Sequence, residues 1–244
     1  MQAVGTDEAI MVEPLSPAVG LEVRGASLDA PQDELSAMVR DLWQVGGALL
    51  FRNSADAARD AAALGRAIAG NTLITVSASV PGTTDWAMVG ADTSDPPPLA
   101  CIVGTDSGKL PPLWLAGMEA AADAMRLTAS DTLAEAQGLH FAHSLDGPML
   151  PILQKHPVSG ATVLYPPPRR AAVVDPVAHA IVRTAEEPQF CYRHDWQAGD
   201  LLAWDPRVVR CKWADMPDED SAVFAIVRAA APQPATRPEW EMPL

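Results

Sequence analysis

Few side chains in this chain are of a kind that makes or breaks bonds, and they stand far apart. The three cysteines, Cys101, Cys191 and Cys211, are an odd, sparse set without Cys-x-x-Cys spacing, so neither a disulfide framework nor a structural zinc site is indicated. Cys211 lies between Arg210 and Lys212, and a cation that lowers a thiol's pKa makes it a nucleophile. In a strand those two neighbours point to the opposite face, which leaves a buried inert thiol as the competing reading. Of the five histidines, His143 ends the run Gly138-Leu139-His140-Phe141-Ala142-His143. An imidazole there is a candidate acid or base near neutral pH, against a hydrogen-bonded structural role. Arg169 and Arg170 follow three prolines and suit either a clamp on an anionic ligand or plain solvation. Trp86, Tyr165 and Trp213 are of the type that lines an apolar pocket for a planar or hydrophobic molecule.

The stretch that positions Cys211 runs from Gly199 to Trp213 and reads as two core strands joined by a tight corner. Upstream, Leu21 to Gly25 and Ala48 to Phe51 read as short strands, the second wholly apolar and bounded by turn residues. Between them, Asp29 to Glu34 has the aspartate, proline and acidic first turn of a helix start. Leu35, Met38, Val39, Leu42 and Trp43 then give that helix one apolar face, ending at Gly46-Gly47. A second helix is expected over Ala55 to Ile68 and a strand over Asn71 to Val80. Further helices are expected over Leu115 to Leu127, over Ser130 to Gln137 with Ser130 as N-cap, and over Val177 to Glu187 behind Asp175-Pro176. Phe190 to Trp196 and Leu201 to Trp204 read as a hairpin, Ser221 to Arg228 as the last strand, and Ala229 to Leu244 as an irregular tail.

At 244 residues and 48% hydrophobic content, the chain can bury a sizeable core, and a single domain over 1–244 is expected. The net charge of -14 argues against the phosphate-neutralising surface that nucleic-acid binding needs, and no run of lysines or arginines suggests anionic lipid. Met1 to Val12 holds Asp7 and Glu8 and lacks the basic start and apolar run of a secretory signal, while no later apolar stretch is long enough to span a bilayer. A cytoplasmic location is the expectation.

Several of these blocks resemble the taurine dioxygenase-like (TauD/TfdA) family of iron and 2-oxoglutarate-dependent oxygenases. Leu21 to Leu28 with Phe51-Arg52-Asn53 is similar to the family's N-terminus, and Asp95 to Val103 to its proline-led strand. Leu150 to Tyr165, with the turn His156 to Gly160, is similar to its paired strands, and Gly199-Asp200 with Trp204-Asp205 and Arg207 to the block that leads to an iron-binding histidine. The resemblance implies an α+β, mainly β fold: a double-stranded β-helix, a jelly-roll or cupin-like barrel, flanked by helices. It also implies where a metal would sit. The family's His-x-Asp pair falls on Ala87 and Val89, just after Trp86, and its second histidine on Cys211. No histidine of this chain is followed two residues later by Asp or Glu.

A facial set of two histidines and one carboxylate leaves open the positions that 2-oxoglutarate and oxygen take, and alanine and valine have no lone pair to offer. Pro111-Pro112 stands where a threonine of the family helps hold 2-oxoglutarate, and Ser221 to Val227 lacks the carboxylate-binding arginines, Arg228 being the first one beyond. The resemblance therefore implies that Fe(II) and 2-oxoglutarate are lost, with no cofactor expected. The degenerate positions Ala87, Val89 and Cys211 are expected to line an interior more apolar than the family's, suited to an uncharged substrate. Candidate catalytic residues are His143 and Cys211. Candidate substrate-binding residues are Trp86, Ala87, Val89, Tyr165, Arg169, Arg170, Trp213 and Arg228.

Three functions are compatible with this pattern. One is a metal-independent, non-oxidative enzyme or ligand-binding protein acting on a small molecule in specialised metabolism. The second is a non-catalytic partner of an active oxygenase, as a heteromer or homo-oligomer. The third is an oxygenase with displaced ligands drawn from His140, His143 or Asp92. An open cavity between Trp86, His143 and Cys211 favours the first; a filled one favours the second.

Overall fold

In a computed structural model of the chain, residues 10–29, 32–69, 74–76, 80–91, 98–144, 146–169 and 174–228 are described. Arg170, Asp92 and the tail beyond Arg228 lie outside them, as does most of the expected strand over Asn71 to Val80. In chain order the elements are β1 (Met11–Pro14), β2 (Leu21–Arg24), α1 (Gln32–Gly46), β3 (Ala48–Phe51), α2 (Ala57–Ala69), β4 (Ile74–Val76), β5 (Ala100–Thr105), β6 (Leu113–Gly117), α3 (Met118–Thr128), α4 (Ser130–Glu135), β7 (His140–Ala142), β8 (Met149–Pro151), β9 (Leu153–Lys155), β10 (Thr162–Leu164), α5 (Pro176–Ala185), β11 (Cys191–His194), β12 (Asp200–Trp204), β13 (Val209–Trp213) and β14 (Val223–Val227).

Strand alternation builds two cores from one sheet. The large sheet runs β1-β2-β3-β12-β5-β14-β4, antiparallel except for the β2/β3 pair. Leu49, Phe51, Ile102, Leu201, Ala203 and Val227 face α1 and α2, packing with Leu35, Val39 and Leu64. Leu50, Cys101, Val103, Leu202, Trp204 and Phe224 point the other way, into a second core shared with the small sheet β11-β6-β13 through Leu113, Leu115, Cys211 and Trp213. Strands buried on both faces explain why β3, β5 and β12 read as unbroken apolar runs rather than alternating ones. The two sheets keep separate hydrogen-bond ladders, so among the described residues no closed barrel forms.

Three expectations are corrected. Leu115 to Gly117, expected to open a helix, instead end the strand Leu113–Gly117, both of whose edges are taken by β11 and β13; α3 begins only at Met118. Ser130 is not an N-cap: Ala129 holds that place, with no side-chain cap, since its N–H already bonds Met125 O at 2.8 Å and α4 follows α3 almost without a break. Residues 190–204 are not a hairpin. β11 pairs with β6 in the small sheet, whereas β12 pairs with β3 and β5 in the large one, and the intervening turn carries the chain from one sheet to the other. Asp200 fixes that crossing. Its carboxylate accepts from Arg52 Nη1 at 2.7 and 2.8 Å and from the Gln197 N–H at 2.8 Å, and lies 3.1 Å from His194 Nε2. The helix behind Asp175-Pro176 forms as expected, with Asp175 Oδ1 accepting from the Ala178 N–H at 2.8 Å. No helix of the described residues is long and apolar enough to cross a membrane.

Candidate functional site

The backbone brings Ala87 and Cys211 to one place. Ala87 N–H donates to Cys211 O at 2.9 Å and Cys211 N–H to Ala87 O at 3.0 Å, an antiparallel bridge that lays the Trp86–Val89 segment along β13. Val89 then enters a turn closed by Ala91 N–H on Met88 O at 3.1 Å.

Cys211 is fully buried, and burial pushes its thiol up to about 12 despite the opposing pull of Arg210. Its sulfur is covered by the chain. Gly82 has φ +96°, and a Cβ on it would lie 2.7 Å from Cys211 Sγ. Trp213 holds the same segment by two bonds, its indole N–H donating to Pro81 O at 2.8 Å and its backbone N–H to Thr83 O at 2.9 Å. A thiol protonated at neutral pH and covered by peptide is neither a nucleophile nor a ready ligand. Ala87 and Val89 carry no donor atom, so these three side chains do not fit an iron ion. Among the described residues, no group of three or more His, Cys, Asp or Glu side chains is placed to hold a metal.

Beside this covered position lies a cavity of about 650 Å³, walled by residues 80–91 together with His143, Pro168, Arg169, Lys212 and Ile226. The site residues fall into groups. Trp86, Ala87, Val89, His143 and Arg169 line the cavity. Cys211, Trp213 and Tyr165 are buried behind its wall, Tyr165 with its ring 5.2 Å from that of His143 in an edge-on contact. Arg228 follows β14 next to Leu99, whose N–H bonds Val227 O, and does not line this cavity. The last strand presents Ile226 to it instead. The wall is more polar than expected, with Thr83, Thr84, Asp85, Arg169 and Lys212 on it, so an uncharged ligand is not dictated by the lining.

Arg210, read from the sequence only as a neighbour facing away from Cys211, turns out to organise the rim. It is 1% exposed, and burial lowers its pKa to about 10, which leaves it protonated at neutral pH. Nη2 donates to Trp86 O at 3.1 Å and Nη1 lies 3.5 Å from Glu186 Oε1. Glu186, just past α5, also accepts from Arg169 Nε at 2.9 Å. One carboxylate thereby tethers the cavity-lining Arg169 and the guanidinium under Trp86. Lys212 Nζ sits 5.5 Å from the centre of the Trp86 ring, a cation–π contact between two residues of the cavity wall. The sequence signal was a charged residue between two buried positions of an apolar strand, which calls for a partner that only the fold could name. Chemically, the wall offers an imidazole, a carboxylate, two hydroxyls and two cations around an indole, of which the imidazole and the carboxylate are the groups suited to proton transfer and the cations to holding an anion.

Residues 119–219 match the family model described as "Taurine catabolism dioxygenase TauD, TfdA family". No curated protein sequence matches. Among solved structures, the chain is similar to AAD-2 in complex with Mn(II) and N-oxalylglycine, with TM-score 0.74, 18% identity, and coverage of 92% of this chain and 99% of that one. It is also similar to a taurine dioxygenase from Burkholderia xenovorans, with TM-score 0.65, 21% identity and coverage of 91% of each chain. The fold is thus the mixed, mostly sheet architecture of these structures, and residues 119–219 are the part of the chain that is similar to the TauD, TfdA family.

Proposed function

We propose that this chain is a member of the TauD, TfdA family that has given up Fe(II) and 2-oxoglutarate and uses the cavity beside the former metal position to bind a small molecule, for non-oxidative chemistry or for binding alone. The observation that carries the reading is the pairing of an open cavity of about 650 Å³ with donor-free side chains at Ala87 and Val89 and a covered thiol at Cys211. Its size falls within the roughly 300–1,000 Å³ of small-molecule sites. The double-stranded β-helix of the family accounts for the placement of residues 86–89 against β13. The family's facial ligand set would need a histidine and a carboxylate where Ala87 and Val89 stand. His143 is the proton-transfer group of the site, Trp86 its stacking surface, and Lys212 and Arg169 its cations.

The test is a thermal-shift screen of small aromatic and carboxylic compounds against the wild type, Val89→Phe and His143→Gln, repeated with Fe(II) and 2-oxoglutarate. The reading expects hits that Val89→Phe abolishes because it fills the cavity, unaffected by added Fe(II). Hits that appear only with Fe(II) and 2-oxoglutarate overturn it.

A further inference from the structure

The outer face of the small sheet carries a row of side chains that the cavity does not account for. Trp114 on β6 is flanked in register by Arg193 on β11 and by Lys212 on β13, and the bridge between Ala87 and Cys211 brings Trp86 alongside Lys212. Strand alternation puts these four on the face opposite to Leu113, Leu115 and Cys211, which are buried in the core. Across the sheet the order is therefore cation, indole, cation, indole, over about 14 Å at one strand spacing per step. The Arg193 guanidinium lies 6.0 Å from the centre of the Trp114 ring, as Lys212 does at 5.5 Å from that of Trp86. Arg193 is exposed and the other three are half-buried. Tryptophan and arginine are the side chains that most often anchor an interface.

The charges of the row are not closed by the described part of the chain. Lys212 has no carboxylate partner among the described residues. Arg193 holds Asp195 at 2.8 Å through Nη2 alone, with both side chains half exposed or more, and its other N–H groups are left for a second carboxylate. Asp85 borders the Trp86 end, so an acidic partner belongs at Arg193 and Lys212. The sequence supplies a matching segment. Residues 229–244 lie outside the described residues, and among them Glu239-Trp240-Glu241 reads acid, indole, acid. The chain leaves β14 near the row, since Ile226, two residues before Arg228, shares the cavity wall with Trp86 and Lys212. Ten residues separate Arg228 from Glu239, and at full extension they reach roughly 35 Å, more than twice the length of the row. On a chain of net charge -14 a cationic face is scarce, and a short tether raises the effective concentration of the segment beside it.

We propose that the chain's own segment Glu239–Glu241 docks on the outer face of the small sheet, its carboxylates on Lys212 and Arg193 and the Trp240 indole against Trp114. The carboxylates complete the charges of the row, and the indole covers the part of Trp114 that the sheet leaves open. The contact needs no ligand in the cavity, which it borders at Lys212 and Trp86.

The test is zero-length carbodiimide coupling of the full chain, which joins an amine to a carboxylate only where the two are in contact, followed by peptide mapping by mass spectrometry. The chain has three lysines, Lys109, Lys155 and Lys212; the first two are exposed and serve as internal controls. The proposal expects Lys212 joined to Glu239 or Glu241 at about ten times the yield of either control, and within one chain, as read from a mixture of isotope-labelled and unlabelled protein. Trp240→Ala and Arg193→Glu, each checked for an unchanged circular dichroism spectrum, should lower that yield by about fivefold. Coupling of these glutamates to Lys109 or Lys155 as readily as to Lys212, coupling only between chains, no coupling at Lys212, or a yield unmoved by Trp240→Ala overturns it.

Discussion

Substituting Gly82 by alanine tests whether the 81–83 segment truly covers Cys211. Two costs are expected. A non-glycine residue at φ +96° carries about 1–2 kcal/mol of backbone strain. The new methyl, placed 2.7 Å from Cys211 Sγ, must push either the sulfur or the segment, and both are fixed: the sulfur by complete burial and the segment by the two Trp213 bonds. Overpacking of that kind costs about 1–3 kcal/mol, so Gly82→Ala alone should lose roughly 3 kcal/mol of stability. In a Cys211→Ala background the sulfur is gone and only the backbone strain remains. A double-mutant cycle by urea denaturation should therefore give a coupling of about 1–2 kcal/mol, with the pair less destabilised than the sum of the singles. Additive effects, within about 0.5 kcal/mol, would refute the contact and with it the covered thiol.

The thiol makes a pH prediction. Folding raises Cys211 from an ordinary thiol value to about 12, so its contribution is complete below about pH 8.5 and lost as pH rises toward the folded value. By pH 10 the loss is about 2 kcal/mol, and Cys211→Ala should flatten the alkaline limb of urea midpoint against pH. Asp200 and Asp205 behave oppositely. Burial resists their ionisation, but His194 and Arg52 for Asp200, and Arg207 and His156 for Asp205, hold both below the ordinary carboxylate range. Their stabilisation is present above about pH 4 and is lost as pH falls through the lower folded values. Asp200→Asn should cost about 1–3 kcal/mol at pH 7, by weakening the bonds from Arg52, His194 and the Gln197 N–H while Arg52 keeps Glu22 at 3.2 Å, and should lose less on acidification than the wild type.

How far the chain could be read in advance depended on whether the signal was local. The apolar face of α1 and the runs of β3, β12 and β14 are written in consecutive residues, and they fold as the pattern requires. The meeting of Ala87 with Cys211 was implied only by a family resemblance, since nothing between residues 87 and 211 encodes their pairing. Leu115 to Gly117 read as helix because a short apolar stretch next to a helix has no period of its own until two other strands claim its edges. The hairpin error has the same root: the turn before Asp200 looks like any tight turn, and only the Arg52 and His194 contacts, from distant and neighbouring strands, decide that the chain changes sheets. The burial of Arg210 and the placing of Gly82 over the thiol are contacts across more than a hundred residues, beyond any spacing rule. The polar character of the cavity was missed for a simpler reason. Attention to Ala87, Val89 and Cys211 leaves out the loop around them, and residues 83–85 with Lys212 supply its charge and hydroxyls.

The account rests on side chains at positions 87, 89 and 211 that give a divalent ion nothing to hold. Metal analysis of protein purified without chelator, then loaded with Fe(II) and Mn(II) under anaerobic conditions and desalted, addresses that directly. Retention far below one ion per chain, with no decarboxylation of 2-oxoglutarate, is predicted. One tightly retained ion per chain, lost on substitution of His143 or Cys211, would contradict it.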